Sequence, residues 1–67
     1  MKTLKQIRND KRVCKVTDVS NQDFNDGIKY EISLNDGYVF DKDLMSALEY
    51  AHNIKELNEI LEDIVEV

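Results

Sequence analysis

The sequence predicts an α+β fold in which a short N-terminal helix precedes a three-stranded antiparallel β-meander, and two C-terminal helices pack on one face of the sheet. Three observations lead to this prediction. Apolar and polar side chains alternate over residues 28–34, as in a strand with one buried face. Turn-forming Asn, Asp and Gly residues bracket this segment at 25–27 and 35–37. After residue 43, apolar residues recur every three or four positions, which is the spacing of a helix.

The first predicted element is a helix of about two turns that begins after Thr3, whose hydroxyl can accept a hydrogen bond from an N–H group of the first turn. Leu4 and Ile7 are three positions apart and share one face of this helix. We expect the helix to stop near Asn9 and Asp10.

The first strand is predicted over residues 12–19, which are rich in β-branched side chains. Alternation leaves two choices for its inward face, either Cys14 with Val16 or Val13 with Val19. A thiol in the middle of a strand is most often a small core hydrophobe, so we expect no catalytic role for Cys14.

The next two strands are predicted to form a hairpin. Residues 20–27 are polar and predict a turn or loop, with Phe24 folded back onto the core. The second strand then carries four apolar residues on one face, namely Ile28, Tyr30, Ile32 and Leu34. Residues 35–37 tolerate the positive φ that a tight hairpin turn requires. The chain is therefore predicted to return antiparallel to the second strand, with Tyr38 and Phe40 facing the core.

Two helices are predicted for the C-terminal part of the chain. Asp41 or Asp43 can cap the first helix, which ends at His52. Its apolar residues are Leu44, Ala47, Leu48 and Ala51. Asn53 followed by Glu56 resembles a capping box for the second helix. The apolar stripe of that helix runs towards the C-terminus through Ile54, Leu57, Ile60, Leu61 and Ile64.

Length and composition indicate one domain. The 67 residues allow a single hydrophobic core, so the domain is predicted to span residues 1–67. No secretory apolar segment follows Met1, and no run approaches the roughly 20 apolar residues of a membrane helix. The one cysteine cannot form an internal disulfide, which fits a reducing compartment. We expect a cytoplasmic protein that does not bind membranes.

Charge is unevenly distributed along the chain. Residues 1–15 carry six Lys or Arg and one acid, whereas residues 16–67 carry thirteen acids and three lysines. The basic segment is the only candidate for contacts with phosphates. The acidic remainder would repel the same polyanion, so direct binding of DNA or RNA is not favoured.

The sequence lacks a recognisable pattern of catalytic or metal-binding residues. His52 is expected at a helix C-terminus, where the dipole favours it, and no serine lies in a Gly-x-Ser-x-Gly turn. One Cys and one His are too few for a zinc site. Residues 21–27 offer oxygen donors, but Phe24 takes a ligand position of the calcium loop that they would form. We predict that the protein is not an enzyme and has no metal or cofactor.

One resemblance covers about residues 4–40. The segments LKQIRNDKRV at 4–13, DGI at 26–28 and NDGY at 35–38 resemble a pattern of small uncharacterised phage and prophage proteins. The order of elements is also similar to that of some phage anti-CRISPR proteins that mimic DNA. This resemblance implies an accessory inhibitor that acts on a host protein in the host cell cytoplasm.

The acidic surface is the candidate binding site. Carboxylates in rows resemble a phosphate backbone in charge and can occupy the basic groove of a nucleic-acid-binding protein, although such faces also serve ordinary solubility. The predicted binding residues are Asp41, Asp43, Glu56, Glu59, Glu62, Asp63 and Glu66. The alternative function is a structural or regulatory homo-oligomer in which Leu61 and Val65 pair across a two-fold axis.

Overall fold

The computed structural model describes residues 1–21 and 27–67, and within them the chain forms two helices and two antiparallel sheets. The elements are α1 (Leu4–Arg8), β1 (Val13–Asp18), β2 (Tyr30–Leu34), β3 (Tyr38–Phe40), β4 (Leu48–Ala51), α2 (Ile54–Glu62) and β5 (Ile64–Glu66). One sheet has the order β1-β2-β4, and the other consists of β3 and β5. The α+β class and the N-terminal helix are confirmed, whereas the meander and the two C-terminal helices are not.

Helix α1 begins at Thr3, as predicted, and a complete capping box holds its first turn. The Thr3 hydroxyl accepts a hydrogen bond from the Gln6 N–H at 3.3 Å, and the Gln6 side chain accepts one from the Thr3 N–H at 2.8 Å. These reciprocal bonds satisfy two N–H groups that the helix itself leaves unpaired. Ile7 is fully buried, so this short helix anchors the N-terminus on the core.

Strand β1 has a bulge, and this bulge decides which side chains face the core. The pairing with β2 shifts register between Val13 and Lys15. An extra residue in one strand reverses the alternation after it, so Val13 and Val16 both point inward although they are three positions apart. The predicted pair Val13 and Val19 is buried, and Val16 from the other predicted pair is buried with them. Cys14 is exposed, and the prediction that it is a core hydrophobe is wrong.

Strand β2 is the central strand of the larger sheet and is antiparallel to both of its neighbours. Tyr30 and Ile32 are buried on one face, which confirms the alternation that predicted this strand. Ile28 lies before the strand and is half-buried, as is Leu34 at its end. The core face of the sheet is thus built around Ile32.

The predicted hairpin between β2 and β3 is wrong. The turn is present, with Gly37 at φ 93°, but β3 pairs with β5 instead of β2. Both edges of β2 are already occupied by β1 and β4. In addition, the Asn35 N–H donates to the Arg12 carbonyl at 3.0 Å, which holds the start of the turn against the segment leading into β1. The turn residues at 35–37 correctly predicted that the chain reverses direction. They could not specify which strand pairs with β3.

The predicted helix after Asp41 or Asp43 is also wrong, because residues 48–51 form the edge strand β4. Neither aspartate caps a helix. The Asp41 N–H donates to the Asp63 carbonyl at 2.7 Å, and the Asp43 carboxylate accepts from the Met45 N–H at 3.2 Å within a turn. Four apolar residues at helical spacing are too few to outweigh pairing with the buried strand β2.

Helix α2 begins at Asn53, as predicted. The Asn53 side chain accepts a hydrogen bond from the Glu56 N–H at 2.9 Å. The Glu56 carboxylate, however, accepts from the His52 N–H at 3.0 Å instead of closing the box on Asn53. His52 therefore lies before a helix, and the prediction that it ends one is wrong.

The predicted continuation of this helix to the C-terminus is wrong as well. Helix α2 ends at Glu62 with Asp63 as its C-cap, and Ile64–Glu66 forms β5 opposite β3. Two bonds hold the chain at this bend: the Asp63 carbonyl accepts from the Asp41 N–H, and its carboxylate accepts from the Lys42 N–H at 3.2 Å. The bend places Ile64 opposite Phe40 in the core.

One apolar core lies between the sheets and the helices. Its buried members are Ile7, Val13, Val16, Tyr30, Ile32, Phe40, Ala51, Leu57, Leu61 and Ile64. Helix α1 packs against β1, and α2 packs against β4. Leu61 is only 5% exposed, so it is not available to pair across a two-fold axis as the homo-oligomer prediction required.

Candidate functional site

A groove lies between α2, β4 and the segment that follows β3. Its volume is about 200 Å³. The residues that line it are Phe40, Lys42, Glu49, Tyr50, Glu56, Glu59, Ile60 and Asp63. Four of these eight residues are acids and one is a lysine, so we call this feature the acidic groove. Phe40 is 1% exposed and belongs to the core, whereas Tyr50 is 41% exposed.

Helix α2 and its C-cap residue bring three acids to this groove because of the helical periodicity. Glu56 and Glu59 are three positions apart and therefore lie on one face of the helix, and Asp63 follows one turn later. Strand β4 supplies the fourth acid, Glu49, from the register that places it opposite Ile32. A helix and a strand that pack together thus place four carboxylates around one concavity.

Glu56 is held in place at one end of the acidic groove. Its carboxylate lies 2.9 Å from Nδ1 of His52 and also accepts the His52 N–H. These bonds lower the pKa of Glu56, because they favour the charged form of the carboxylate. Glu56 is therefore ionised and oriented at neutral pH.

The seven acids predicted as the binding site do not form one surface. Glu56, Glu59 and Asp63 line the acidic groove. Glu62 points away from it and lines a different concavity beside Lys2. The other three are exposed elsewhere, with Asp41 and Asp43 in the turn after β3 and Glu66 in β5 opposite Tyr38.

Sequence reasoning missed both residues that β4 contributes to the acidic groove, namely Glu49 and Tyr50. They were missed because the segment was predicted to be a helix, with the neighbouring Leu48 and Ala51 in its apolar stripe. The strand Leu48–Ala51 contains one signal that favoured the correct structure, since tyrosine is enriched in strands. That signal is weak in a segment of four residues.

The basic N-terminal segment takes part in the fold. Arg8 donates two hydrogen bonds to the Val16 carbonyl, at 3.2 and 3.1 Å. Arg12 and Lys2 both form ion pairs with Asp10, at 2.7 and 2.8 Å. Hydrogen bonds from Arg12, and secondarily from Lys2, hold the pKa of Asp10 well below its usual range. Three of the six cations in this segment therefore have structural partners.

Metal binding can be assessed only for the part of the chain that the structure describes. Within residues 1–21 and 27–67, no three His, Cys, Asp or Glu side chains come close enough together to hold a metal ion. The calcium-like tract at 21–27 and the predicted packing of Phe24 fall largely on residues 22–26, outside the described residues. No helix of the described residues is long and apolar enough to cross a membrane.

The acidic groove is the feature on which a function can be based. No family model matches the chain, and no curated protein or solved structure matches it either. The charge and shape of the acidic groove are therefore the basis for the functional proposal that follows.

Proposed function

We propose that this chain is a non-enzymatic protein-binding module whose acidic groove binds a basic surface of a partner protein. One observation carries this proposal: Glu49, Glu56, Glu59 and Asp63 converge on one groove of about 200 Å³. A concave surface of a single charge sign attracts a partner of the opposite sign and speeds its association. The net charge of −5 adds to this attraction.

The groove suits arginine side chains of the partner in particular. A carboxylate accepts two parallel hydrogen bonds from a guanidinium group, which gives the pair both strength and a fixed geometry. Tyr50 also lines the groove and is 41% exposed, and a tyrosine is a residue type on which a guanidinium group can stack. Ile60 lines the same groove and can contact the aliphatic part of the side chain.

The class of partner follows from the same chemistry. Nucleic-acid-binding proteins carry grooves rich in Lys and Arg that neutralise phosphates, and a cluster of carboxylates can occupy such a groove in place of the nucleic acid. This chemistry and the resemblance to small phage and prophage proteins support one specific proposal. The protein is an accessory inhibitor that binds a host nucleic-acid-binding protein in the host cytoplasm.

Self-association is the second candidate function. The observation that favours it is an apolar strip on β5 and the residue that follows it. Val65 is 38% exposed and Val67 is 85% exposed. They are two positions apart, so both point to the same side of the strand. In this case a second copy of the chain would cover the strip.

Two variants of equal charge test the proposal. Glu49→Lys with Glu59→Lys reverses two charges inside the acidic groove, and Glu62→Lys with Glu66→Lys reverses two outside it. We expect the unmodified tagged protein to retain nucleic-acid-binding proteins from a bacterial lysate at low salt and to release them at high salt. The groove variant should lose them, and the control variant should keep them.

The proposal fails if both variants lose the retained proteins equally, because net charge alone would then explain the binding. It also fails if the unmodified protein retains nothing at low salt. Sedimentation equilibrium distinguishes self-association from binding to another protein. A homo-oligomer would show an apparent mass that rises with protein concentration and falls after Val65→Ser.

A further inference from the structure

Strand β5 has a strand neighbour on one side only, since its sheet consists of β3 and β5. Two hydrogen bonds show which backbone groups face β3. The Asp41 N–H donates to the Asp63 carbonyl at 2.7 Å. The Val67 N–H donates to the Gly37 carbonyl at 2.8 Å. In an antiparallel pair, residues that exchange hydrogen bonds alternate with residues that do not. Glu66 is of the second kind, so its N–H and C=O groups point away from β3.

These two groups of Glu66 have no partner in the part of the chain that the structure describes. Glu66 is exposed, and within residues 1–21 and 27–67 no hydrogen bond reaches its N–H or its C=O group. Val65 and Val67, on either side of it, are 38% and 85% exposed. Alternation puts both valines on one face of the strand and Glu66 on the other. The edge of β5 therefore offers a backbone donor and acceptor between two exposed valines.

The other outer edges of the two sheets are each blocked at one position by a contact within the chain. In β4, the Ser46 hydroxyl donates to the Leu48 carbonyl at 2.6 Å and accepts from the Leu48 N–H at 3.3 Å. In β1, Arg8 donates two hydrogen bonds to an outward carbonyl. In β3, the Phe40 carbonyl accepts from the Asp43 N–H at 3.1 Å. Contacts of this kind prevent the addition of another strand, and β5 shows none of them at Glu66.

Charge selects the strand that fits this edge. Residues 59–66 contain four acids and no Lys or Arg. A second copy of the chain would bring two such segments together, and like charges on paired strands destabilise the pair. A Lys or Arg directly opposite Glu66 would lie about 5 Å from it and attract its carboxylate. The next residues on either side of that cation would then lie opposite Val65 and Val67.

We propose that β5 binds an extended segment of a partner protein as an added antiparallel strand, with a Lys or Arg opposite Glu66 and apolar residues opposite Val65 and Val67. Main-chain hydrogen bonds to Glu66 supply affinity, and the alternating side chains supply specificity. None of these three residues lines the acidic groove, so this is a second surface for a different segment. The inference therefore goes beyond the proposed function and does not depend on it.

Two isomeric peptides test the inference without knowledge of the natural partner. Both are short peptides in which Val and Lys alternate. One carries N-methyl groups on its lysines, and the other carries them on an equal number of valines, so that mass and charge are the same. In the proposed register, the N–H of the lysine opposite Glu66 donates to the Glu66 carbonyl, whereas the valine N–H groups point away from β5. Nuclear magnetic resonance of the isotope-labelled protein measures the affinity and locates the site.

We expect the valine-methylated peptide to shift the resonances of residues 64–67 and to slow the exchange of the Glu66 N–H with solvent. The lysine-methylated peptide should bind about tenfold more weakly, as the loss of a main-chain hydrogen bond predicts. Glu66→Lys should weaken binding of the valine-methylated peptide by about fivefold. Asp41→Lys, the same charge change at an exposed residue away from this edge, is the control and should bind it nearly as the unmodified protein does.

Three outcomes would overturn the inference. Equal affinity of the two peptides would show that main-chain bonds to Glu66 are not used. An equal loss of affinity in Glu66→Lys and Asp41→Lys would reduce the effect to net charge. Slow exchange of the Glu66 N–H without peptide, together with a dimer in sedimentation equilibrium, would assign the edge to a second copy. None of these results would decide whether the acidic groove binds a partner, which the charge-reversal variants of that groove test separately.

Discussion

The side-chain amide of Asn58 binds both backbone groups of Lys2. The Lys2 N–H donates to Oδ1 of Asn58 at 2.8 Å, and Nδ2 of Asn58 donates to the Lys2 carbonyl at 3.0 Å. One residue of α2 therefore attaches the first residues of the chain to the last helix. The same Nδ2 donates to the Ile54 carbonyl at 3.0 Å, which fixes the amide on its own helix.

Asn58→Ala should lower the free energy of unfolding by about 1 kcal/mol, because it removes the hydrogen bonds that attach the N-terminal residues to α2. Urea unfolding followed by circular dichroism measures this loss. Lys55→Ala, an exposed substitution on the same helix, is the control and should change stability by less than about 0.5 kcal/mol. Equal stability of the two variants would mean that this attachment contributes nothing.

Ile32→Ala should destabilise the protein by about 2 to 5 kcal/mol. Ile32 is fully buried in the central strand β2, so truncation leaves a cavity that the sheet cannot readily close. Urea unfolding measures the effect. Glu31→Ala, next to it on the opposite face, is the control and should cost far less. A loss of under about 1 kcal/mol for Ile32→Ala would contradict the central position of this residue in the core.

Gly37→Ala should destabilise the protein by about 1 kcal/mol or more, because Gly37 has φ 93°, a backbone conformation that residues with a Cβ rarely adopt. No atom outside residues 36–38 lies within 4 Å of the position that the added Cβ would take, so we expect the loss to come from backbone strain and not from a steric clash. Thermal unfolding measures the effect. Asp36→Ala in the same turn is the control, and an equal shift for both variants would count against the strain.

Local signals predicted the parts of the fold that depend on neighbouring residues. Thr3 and Asn53 were identified as helix caps because a cap needs only the first turn that follows it. Alternation identified the buried face of β2 because a sheet side chain has a period of two. The bulge at Cys14 was not predictable, since it depends on how β1 pairs with another strand.

The segments that were predicted wrongly are those whose structure depends on distant partners. Residues 44–51 and 64–66 have apolar spacings that suit a helix, but pairing with β2 and with β3 makes strands of Leu48–Ala51 and Ile64–Glu66. The same limit applies to the acidic groove. Its acids on α2 were predicted from helical spacing, whereas Glu49 enters the groove only through the pairing of β4 with β2.

Cys14 should react with a thiol reagent such as dithionitrobenzoate in the folded protein, because the bulge in β1 leaves its side chain exposed. We expect complete reaction of one thiol per chain at a rate within about tenfold of that in urea. The reaction in urea is the control, since all thiols are accessible there. A native rate several orders of magnitude slower would place Cys14 in the core and contradict the bulge.

Lowering the pH should reduce the free energy of unfolding, in part because Asp10 becomes protonated. Its pKa is lowered in the folded protein, mainly by the hydrogen bond from Arg12. A group with a lowered folded pKa contributes stability above its unfolded pKa, near 4, and loses it as the pH falls towards the folded value. Asp10→Asn should therefore be less stable than the unmodified protein at pH 7, and the difference should shrink below pH 4. Urea unfolding across this range measures it, with the exposed Asp36→Asn as control. A difference that stays constant with pH would rule out the linkage.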